Sequence, residues 1–352
     1  MKSIRVLVVD DSAFMRYTVS HHLSGQADIE VVGLASNGLE AVEQVETLHP
    51  DVVTLDVEMP KLDGLSALRQ IMEKHPVPVV MLSTLTKEGA AVTVEALTNG
   101  AVDFVTKPSQ STSVHQVLGE LTEKVRQAAQ AKVRTARLLV GAKRRHTVNN
   151  ISVPERLVVI GSSTGGPGAL REVITRLPED LPAGVVVVQH MPANFTHSLA
   201  ERLDELSALP VKEAERGDRL ATGRVLVAPG GLHLILTRTG EVQLNEGPTV
   251  NGVRPAVDVT LMSAVAAFGA RVLGVILTGM GHDGRDGARA LKRAGGHLIA
   301  QDEATSIVYG MPRSVVEAGL ADRVEPVDEI ADAICQVLFE TNKKPQYLRV
   351  AT

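Results

Sequence analysis

The sequence predicts two α/β domains in tandem, each a parallel sheet covered by helices. Three observations predict it. Short apolar runs alternate with stretches of helical spacing from Ile4 to about residue 125. The alternation lapses in a basic stretch and resumes at Leu157. Polar residues stand where the apolar runs end, and parallel α/β sheets gather their functional groups at strand ends. The expected division is residues 1–122, a linker over 123–153 and a second domain over 154–345.

In the first domain the runs Val6-Leu7-Val8-Val9, Ile29-Glu30-Val31-Val32, Val52-Val53-Thr54-Leu55, Val79-Val80-Met81-Leu82 and Val102-Asp103-Phe104-Val105 read as strands. Segments between them, such as Gly38 to Val45, have helical spacing. The first strand ends in Asp10-Asp11, the third in Asp56, the fourth in Ser83 and the fifth in Lys107-Pro108. Three carboxylates thus converge on one rim. A like-charge pair about 4 Å apart costs roughly 4 kcal/mol at an effective dielectric near 20. A hard divalent ion such as Mg²⁺ offsets that cost, and Lys107 adds a further positive charge.

Residues 4 to about 121 resemble a response-regulator receiver domain, a doubly wound, flavodoxin-like fold. The stretch Asp56-Val57-Glu58-Met59-Pro60-Lys61-Leu62-Asp63-Gly64 is closely similar. The resemblance implies that Asp10 and Asp11 are the acidic metal-binding pair and that Asp56 accepts a phosphoryl group. It implies that Asp11, Asp56 and the backbone carbonyl of Glu58 hold Mg²⁺. Ser83 and Lys107 would receive the phosphoryl oxygens, and Phe104 falls at the aromatic switch position. Taken singly, Asp11 reads equally as a helix N-cap, Lys107 as a loop residue and Phe104 as core. Their occurrence together at successive strand ends favours the receiver.

Between the domains Lys124, Arg126, Lys132, Arg134, Arg137, Lys143, Arg144 and Arg145 stand against the single acid Glu123. A helix is expected to continue for some turns and fray near Gly141. No recognition-helix pattern follows, so the stretch reads as a solvated linker and not as a nucleic-acid patch.

The second domain opens on Val158-Val159-Ile160-Gly161-Ser162-Ser163-Thr164-Gly165-Gly166-Pro167, a buried strand, a sharp turn and a helix start. A helix is expected over Ala169 to Leu177. Strand Val185 to Val188 runs into Gln189-His190-Met191-Pro192, and helix Phe195 to Leu206 follows. A β-rich region includes Val225 to Gly231 and Leu234 to Leu236. Helix Val259 to Phe268 precedes strand Val272 to Leu277, which ends in Thr278-Gly279-Met280-Gly281-His282-Asp283-Gly284. Gly295 and Gly296 stop a helix before strand His297-Leu298-Ile299.

A Ser, a His and an Asp therefore end separate strands of one sheet. A serine hydroxyl is a weak nucleophile until a base takes its proton, imidazole suits that task, and a carboxylate orients the imidazole. The spacing leaves Ser162 beside Ser163 and Asp286 beside Asp283 as alternatives, and His197 lies inside a helix. A phosphate-binding turn is the competing reading of the serine turn. It lacks the lysine of a P-loop and the Gly-x-Gly-x-x-Gly order. Asp283 as a helix cap alone is a further alternative.

Residues from about 155 to 340 resemble the catalytic domain of chemotaxis protein-glutamate methylesterases of the CheB type. The resemblance implies Ser163 as nucleophile, His190 as base, Asp283 as the orienting carboxylate and the Met280 backbone N–H as oxyanion donor. Arg254-Pro255-Ala256-Val257-Asp258 also resembles the family, whereas His282 stands where Asn or Arg is more usual. The implied activity is hydrolysis of glutamyl methyl esters on methyl-accepting chemoreceptors, releasing methanol, together with glutamine deamidation, releasing ammonia. The expectation is that the hydrolase needs no cofactor, that a histidine kinase donates the phosphoryl group, and that the unphosphorylated receiver packs over the esterase rim. The competing functional classes are a non-catalytic response regulator and an esterase for another methyl ester.

Composition fits this reading. Of 352 residues, 44% are hydrophobic, enough for full cores. Only 2% are aromatic, with no Trp, which argues against stacking on single-stranded nucleic acid. The net charge of −5 argues against general polyanion binding. The single Cys335 excludes an internal disulfide and fits a reducing compartment. With no signal-peptide pattern and no apolar run of spanning length, the expectation is a cytoplasmic protein with no membrane insertion and no nucleic-acid partner.

Overall fold

The computed structural model describes residues 3–108, 113–131 and 153–340. The first domain alternates β1 (Ile4–Val9), α1 (Ala13–Ser24), β2 (Ile29–Ala35), α2 (Gly38–Leu48), β3 (Val52–Asp56), α3 (Gly64–Lys74), β4 (Val79–Ser83), α4 (Lys87–Thr98), β5 (Asp103–Thr106) and α5 (Val114–Ala128). Its strands lie in the order β2-β1-β3-β4-β5 and all pair in parallel. β3 and β4 are buried along their whole length, as central strands between two helical layers are. Ser12, not Asp11, caps α1 by accepting the Met15 N–H, so Asp11 is free for another role.

α5 continues to Ala128, past the expected boundary at residue 122. Lys124 and Arg126 therefore belong to a helix that packs on the sheet. Arg126 pairs with Asp28 at 2.8 Å, and Lys124 pairs with Asp103 at 3.1 Å and Glu120 at 2.9 Å. The remaining basic positions of the expected linker, Lys132 to Arg145, and Gly141 lie outside the described residues.

The second domain runs β6 (Leu157–Ser162), α6 (Gly166–Ile174), β7 (Gly184–Gln189), α7 (Phe195–Leu206), β8 (Val211–Glu213), β9 (Val225–Val227), β10 (His233–Leu236), β11 (Val242–Asn245), α8 (Val257–Phe268), β12 (Val272–Ile276), α9 (Arg285–Arg293), β13 (His297–Gln301), α10 (Met311–Glu317), β14 (Arg323–Glu325) and α11 (Ile330–Glu340). Seven strands form a parallel sheet in the order β14-β13-β12-β6-β7-β9-β8, and β10 and β11 form a separate antiparallel hairpin. β6, β7 and β12, which are neighbours at the centre, are buried throughout. α6 begins at Gly166, earlier than the expected Ala169, because Gly165 makes the turn at φ 75° and Pro167 sits in the first turn, where its missing N–H does no harm. Gly295, at φ 80°, closes α9 ahead of β13 as expected.

The two domains share an apolar core through α4, which packs against α6 and α7. Phe104 of β5 stacks on Phe195 of α7, with ring centroids 4.4 Å apart. The Gly165 N–H donates to the Val102 carbonyl at 3.1 Å. Among the described residues, no helix is long and apolar enough to cross a membrane.

Candidate active site

Ser163, His190 and Asp283 follow three adjacent strands, β6, β7 and β12, at one edge of the sheet. Backbone bonds stitch these strand ends together. The Ser163 N–H donates to the Thr278 carbonyl at 3.0 Å and the His190 N–H to the Ser162 carbonyl at 3.1 Å. Gly279 lies so close that a Cβ there would stand 2.8 Å from the Ser163 Cβ. Only glycine allows that approach.

His190 Nε2 lies 2.8 Å from Asp283 Oδ2. Burial alone would raise the Asp283 pKa. The His190 hydrogen bond and charge, with the N–H groups of Val257 and Asp258, outweigh it and hold the carboxyl below its ordinary range. An ionised Asp283 requires the proton on Nε2, which leaves Nδ1 as the basic nitrogen. Among the described residues no acceptor pairs with the Met280 N–H or the Thr164 N–H, and both flank Ser163, one across the strands and one along the chain.

The alternative residues lie in different surroundings. Ser162 is fully buried and its Oγ donates to Gln189 Oε1 at 2.6 Å. The Gln189 amide in turn donates to the carbonyls of Ser163, at 2.9 Å, and His190, at 3.2 Å. Gln189 thereby ties the serine turn to the histidine, a role its sequence position did not announce. Asp286 is exposed and pairs with Arg289 on its own helix. His197 is exposed and faces Glu201 and Glu213. His282 is exposed beside Asp283, and its carbonyl accepts the Arg285 N–H at 3.1 Å.

At the receiver edge, Asp10 and Asp56 are buried and Asp11 is exposed. Oxygens of the three carboxylates lie within 4.8 Å of one another. Lys107 Nζ stands 3.0 Å from Asp10 Oδ2 and 2.7 Å from Asp56 Oδ2. Burial pushes the Asp56 pKa up to about 6; Lys107 opposes this, while Asp10 and Asp11 add to it. An oxygen-only donor set with excess negative charge fits Mg²⁺. Glu58 lies in the loop that follows β3. The Ser83 hydroxyl is not aimed at this cluster. It accepts from Thr93 Oγ1 at 2.6 Å and lies within donating distance of the Thr84 and Gly89 carbonyls. Phe104 is buried against Phe195, so the aromatic position is part of the domain interface.

Residues 158–334 match the CheB methylesterase family, and residues 6–119 match the response regulator receiver domain. Over 96% of its length the chain is 54% identical to the protein-glutamate methylesterase/protein-glutamine glutaminase of Symbiobacterium thermophilum, covering 98% of that protein. The chain belongs to the protein-glutamate methylesterase/protein-glutamine glutaminase family. The relative of the same name from Thermotoga maritima is 51% identical over 95% of this chain and 98% of its own. The crystal structure of the Thermotoga maritima CheB methylesterase catalytic domain superposes with a TM-score of 0.51 and 49% identity, covering 52% of this chain and 98% of that one.

In this methylesterase/glutaminase the candidate site opens into a cavity of about 610 Å³. Ser163, Thr164, His190 and Arg254 line one side. Leu97, Val102, Asp103, Phe104 and Lys124 of the receiver line the other. Thr164 Oγ1 donates to Asp103 Oδ2 at 2.7 Å, and the Gln127 amide on α5 donates to the Met280 sulfur. The receiver thus grips the residues on either side of Ser163 in space. Domain docking of this kind joins surfaces far apart in sequence, and no local pattern announces it.

Proposed function

We propose that Ser163, His190 and Asp283 hydrolyse glutamyl methyl esters, and the corresponding glutamine amides, on methyl-accepting chemoreceptors. The observation that carries this reading is the buried His190–Asp283 pair at 2.8 Å beside the stitched serine turn. Ser163 Oγ attacks the ester carbonyl while His190 Nδ1 takes its proton. Asp283 stabilises the resulting imidazolium, and the N–H groups of Met280 and Thr164 receive the oxyanion. Collapse returns the proton to the leaving methoxide, which departs as methanol, or to the leaving amine, which departs as ammonia. Water, deprotonated by His190, then releases glutamate from Ser163. Methanol release from a methylated receptor fragment tests the reading. A protein that binds the fragment and releases neither methanol nor ammonia is instead a non-catalytic response regulator.

The receiver acts as a cover that phosphorylation loosens. Its residues wall the cavity that contains Ser163, and a receptor segment entering from that side meets α4, β5 and α5. A histidine kinase supplies the phosphoryl group to Asp56. Asp11, Asp56 and the Glu58 carbonyl are the ligands for Mg²⁺, which neutralises charge on the phosphoryl oxygens when bound. Lys107 and Ser83 receive those oxygens, and for Ser83 this means leaving Thr93 and Gly89. Phe104 is then free to swing from Phe195. The reaction's compartment is the cytoplasm, where receptor signalling segments and the kinase meet. Full-length protein with a small phosphodonor and Mg²⁺, and residues 153–352 alone, are both expected to exceed unphosphorylated full-length protein by tenfold or more, on the order of the population shifts that such switches produce. An isolated domain no faster than the unphosphorylated chain refutes the cover.

The receiver site also carries a pH signature. A buried Asp56 keeps its proton up to about pH 6 when folded, but only to about pH 4 when unfolded. Its contribution to stability is therefore full below pH 4 and falls as the pH rises through 6. A bound cation offsets the ionised carboxylate. Mg²⁺ is expected to raise the receiver's melting temperature by several degrees at pH 7.5, roughly what 1 kcal/mol produces in a domain of this size, and to do little at pH 5. Equal shifts at both pH values place the cation elsewhere.

A further inference from the structure

Neither α8 nor α9 has a side-chain cap from its own N-cap residue, since these are Ala256 and Gly284. Each is capped by an acid from the other's start. Asp283, just before α9, accepts the N–H groups of Val257 at 2.7 Å and Asp258 at 3.1 Å. Asp258, in the first turn of α8, accepts the Gly287 N–H of α9 at 2.7 Å. Asn251 bridges the two acids, its amide donating to Asp258 Oδ2 at 3.1 Å and to Asp283 Oδ1 at 3.3 Å. Asn251 and Gly252, at φ 54° and 79°, form the tip of a tight turn closed by paired hydrogen bonds between Val250 and Val253. Gly252 and Val253 line the substrate cavity. A chain of contacts therefore runs from the cavity rim through Asn251 to Asp258 and Asp283, and on to His190.

We propose that Asp258 and Asn251 are positioning residues of the hydrolytic reaction, acting through Asp283: Asn251 holds the two carboxylates together, and Asp258 adds a second buried negative charge behind the His190–Asp283 pair. The proposal rests on the reading of Ser163, His190 and Asp283 as the triad. Asp258 and Asp283 are both almost fully buried. Burial raises the Asp258 pKa to about 6; the Gly287 N–H opposes the rise, and the charge of Asp283 adds to it. Asp283 is the charged group that faces Asp258, with His190 beyond it just after β7. Above pH 6 the ionised Asp258 therefore strengthens the field that stabilises the imidazolium formed as Ser163 attacks. Below pH 6 it is a neutral acid, close in shape and charge to an asparagine.

The test compares full-length wild type with Asp258→Asn and Asn251→Gly, all treated with a small phosphodonor and Mg²⁺, measuring methanol from a methylated receptor fragment between pH 5 and 9. Asn keeps an oxygen for the Gly287 N–H, and Gly suits the left-handed turn at 251. The wild-type to Asp258→Asn ratio of kcat/KM is expected to approach one at pH 5 and to rise to about tenfold above pH 7, as one buried charge near an imidazolium would produce. A purely structural role for Asp258 gives a ratio that does not vary with pH, and that result overturns the proposal. Asn251→Gly is expected to lower kcat about tenfold with KM unchanged, because its loss disturbs Asp283 and leaves the cavity wall in place. An unchanged kcat also overturns the proposal, and this variant decides if Asp258→Asn fails to fold. Ser163→Ala, run alongside, separates the two levels. If it retains activity, the triad reading fails. If it is inactive while the Asp258→Asn ratio is flat, only the present proposal fails.

Discussion

Ser163→Ala is expected to lower methanol release by roughly 10⁶, the loss seen when a serine triad loses its nucleophile. The expectation rests on the difference between two neighbouring serines. Ser163 lines the cavity, and its N–H is held by the Thr278 carbonyl, which sets the hydroxyl beside the β12 end. Ser162 is fully buried and spends its proton on Gln189. Ser162→Ala leaves Gln189 Oε1 buried without that donor, a loss of about 1–3 kcal/mol in stability. Gln189 retains its bonds to the Ser163 and His190 carbonyls, so Ser162→Ala should keep turnover within about a hundredfold of wild type, which is the scale of a small misplacement at a reacting centre. Methanol assays on both variants, with thermal melts to confirm folding, check this. An active Ser163→Ala beside an inactive Ser162→Ala would reverse the assignment.

Asp283→Asn is the second large effect, a loss of about 10⁴ in turnover, as at the equivalent position of a serine-protease triad. Asp283 serves two sets of donors at once: Oδ2 meets His190 Nε2 and accepts the Val257 N–H, while Oδ1 accepts the N–H groups of Asp258 and Gly284 and the Asn251 amide. An asparagine has one carbonyl oxygen and one amide. If the oxygen faces the N–H groups of Asp258 and Gly284, the amide opposes His190 and the Val257 N–H and forces the proton onto Nδ1, the nitrogen assigned as the base. If the oxygen faces His190, the amide meets buried N–H donors and the α8 start loosens. The first outcome removes the base, and the second removes the negative charge that stabilises the imidazolium, so kcat falls while KM changes little. Asp286→Asn, on an exposed residue paired only with Arg289, should remain near wild type. Retention of activity in Asp283→Asn together with its loss in Asp286→Asn would assign the orienting role to Asp286.

Much of the architecture was legible because buried parallel strands are apolar on both faces and stand out as runs between turn residues. The starts of α6 and α8 were misplaced by a few residues, and at α6 the reason is specific. Gly165 and Pro167 read as turn residues, yet one makes the turn and the other belongs to the helix's first turn. Lys124 and Arg126 looked like solvated linker because sequence shows their charge and not their partners Asp103, Glu120 and Asp28. Phe104 resembled a switch residue by position alone. That it stacks on Phe195 of the other domain required the two sheets to be docked.

By itself the sequence determined which strands end in chemistry: carboxylates, a hydroxyl and a lysine on one sheet, and Ser, His and Asp on the other. Strand ends share a rim whatever the loops between them do, so this information is local. Only the tertiary structure distinguishes Ser162 from Ser163 and Asp283 from Asp286 by burial and partners. Adjacent residues at the end of a strand point to opposite sides, and which side is the cavity depends on Gln189, Val257 and Asn251, contributed by other elements. The crossed caps of α8 and α9 and the grip of Asp103 on Thr164 are likewise contacts between distant segments. They exist only once the sheets have folded and met, because a hydrogen bond constrains geometry and not the spacing of residues along the chain.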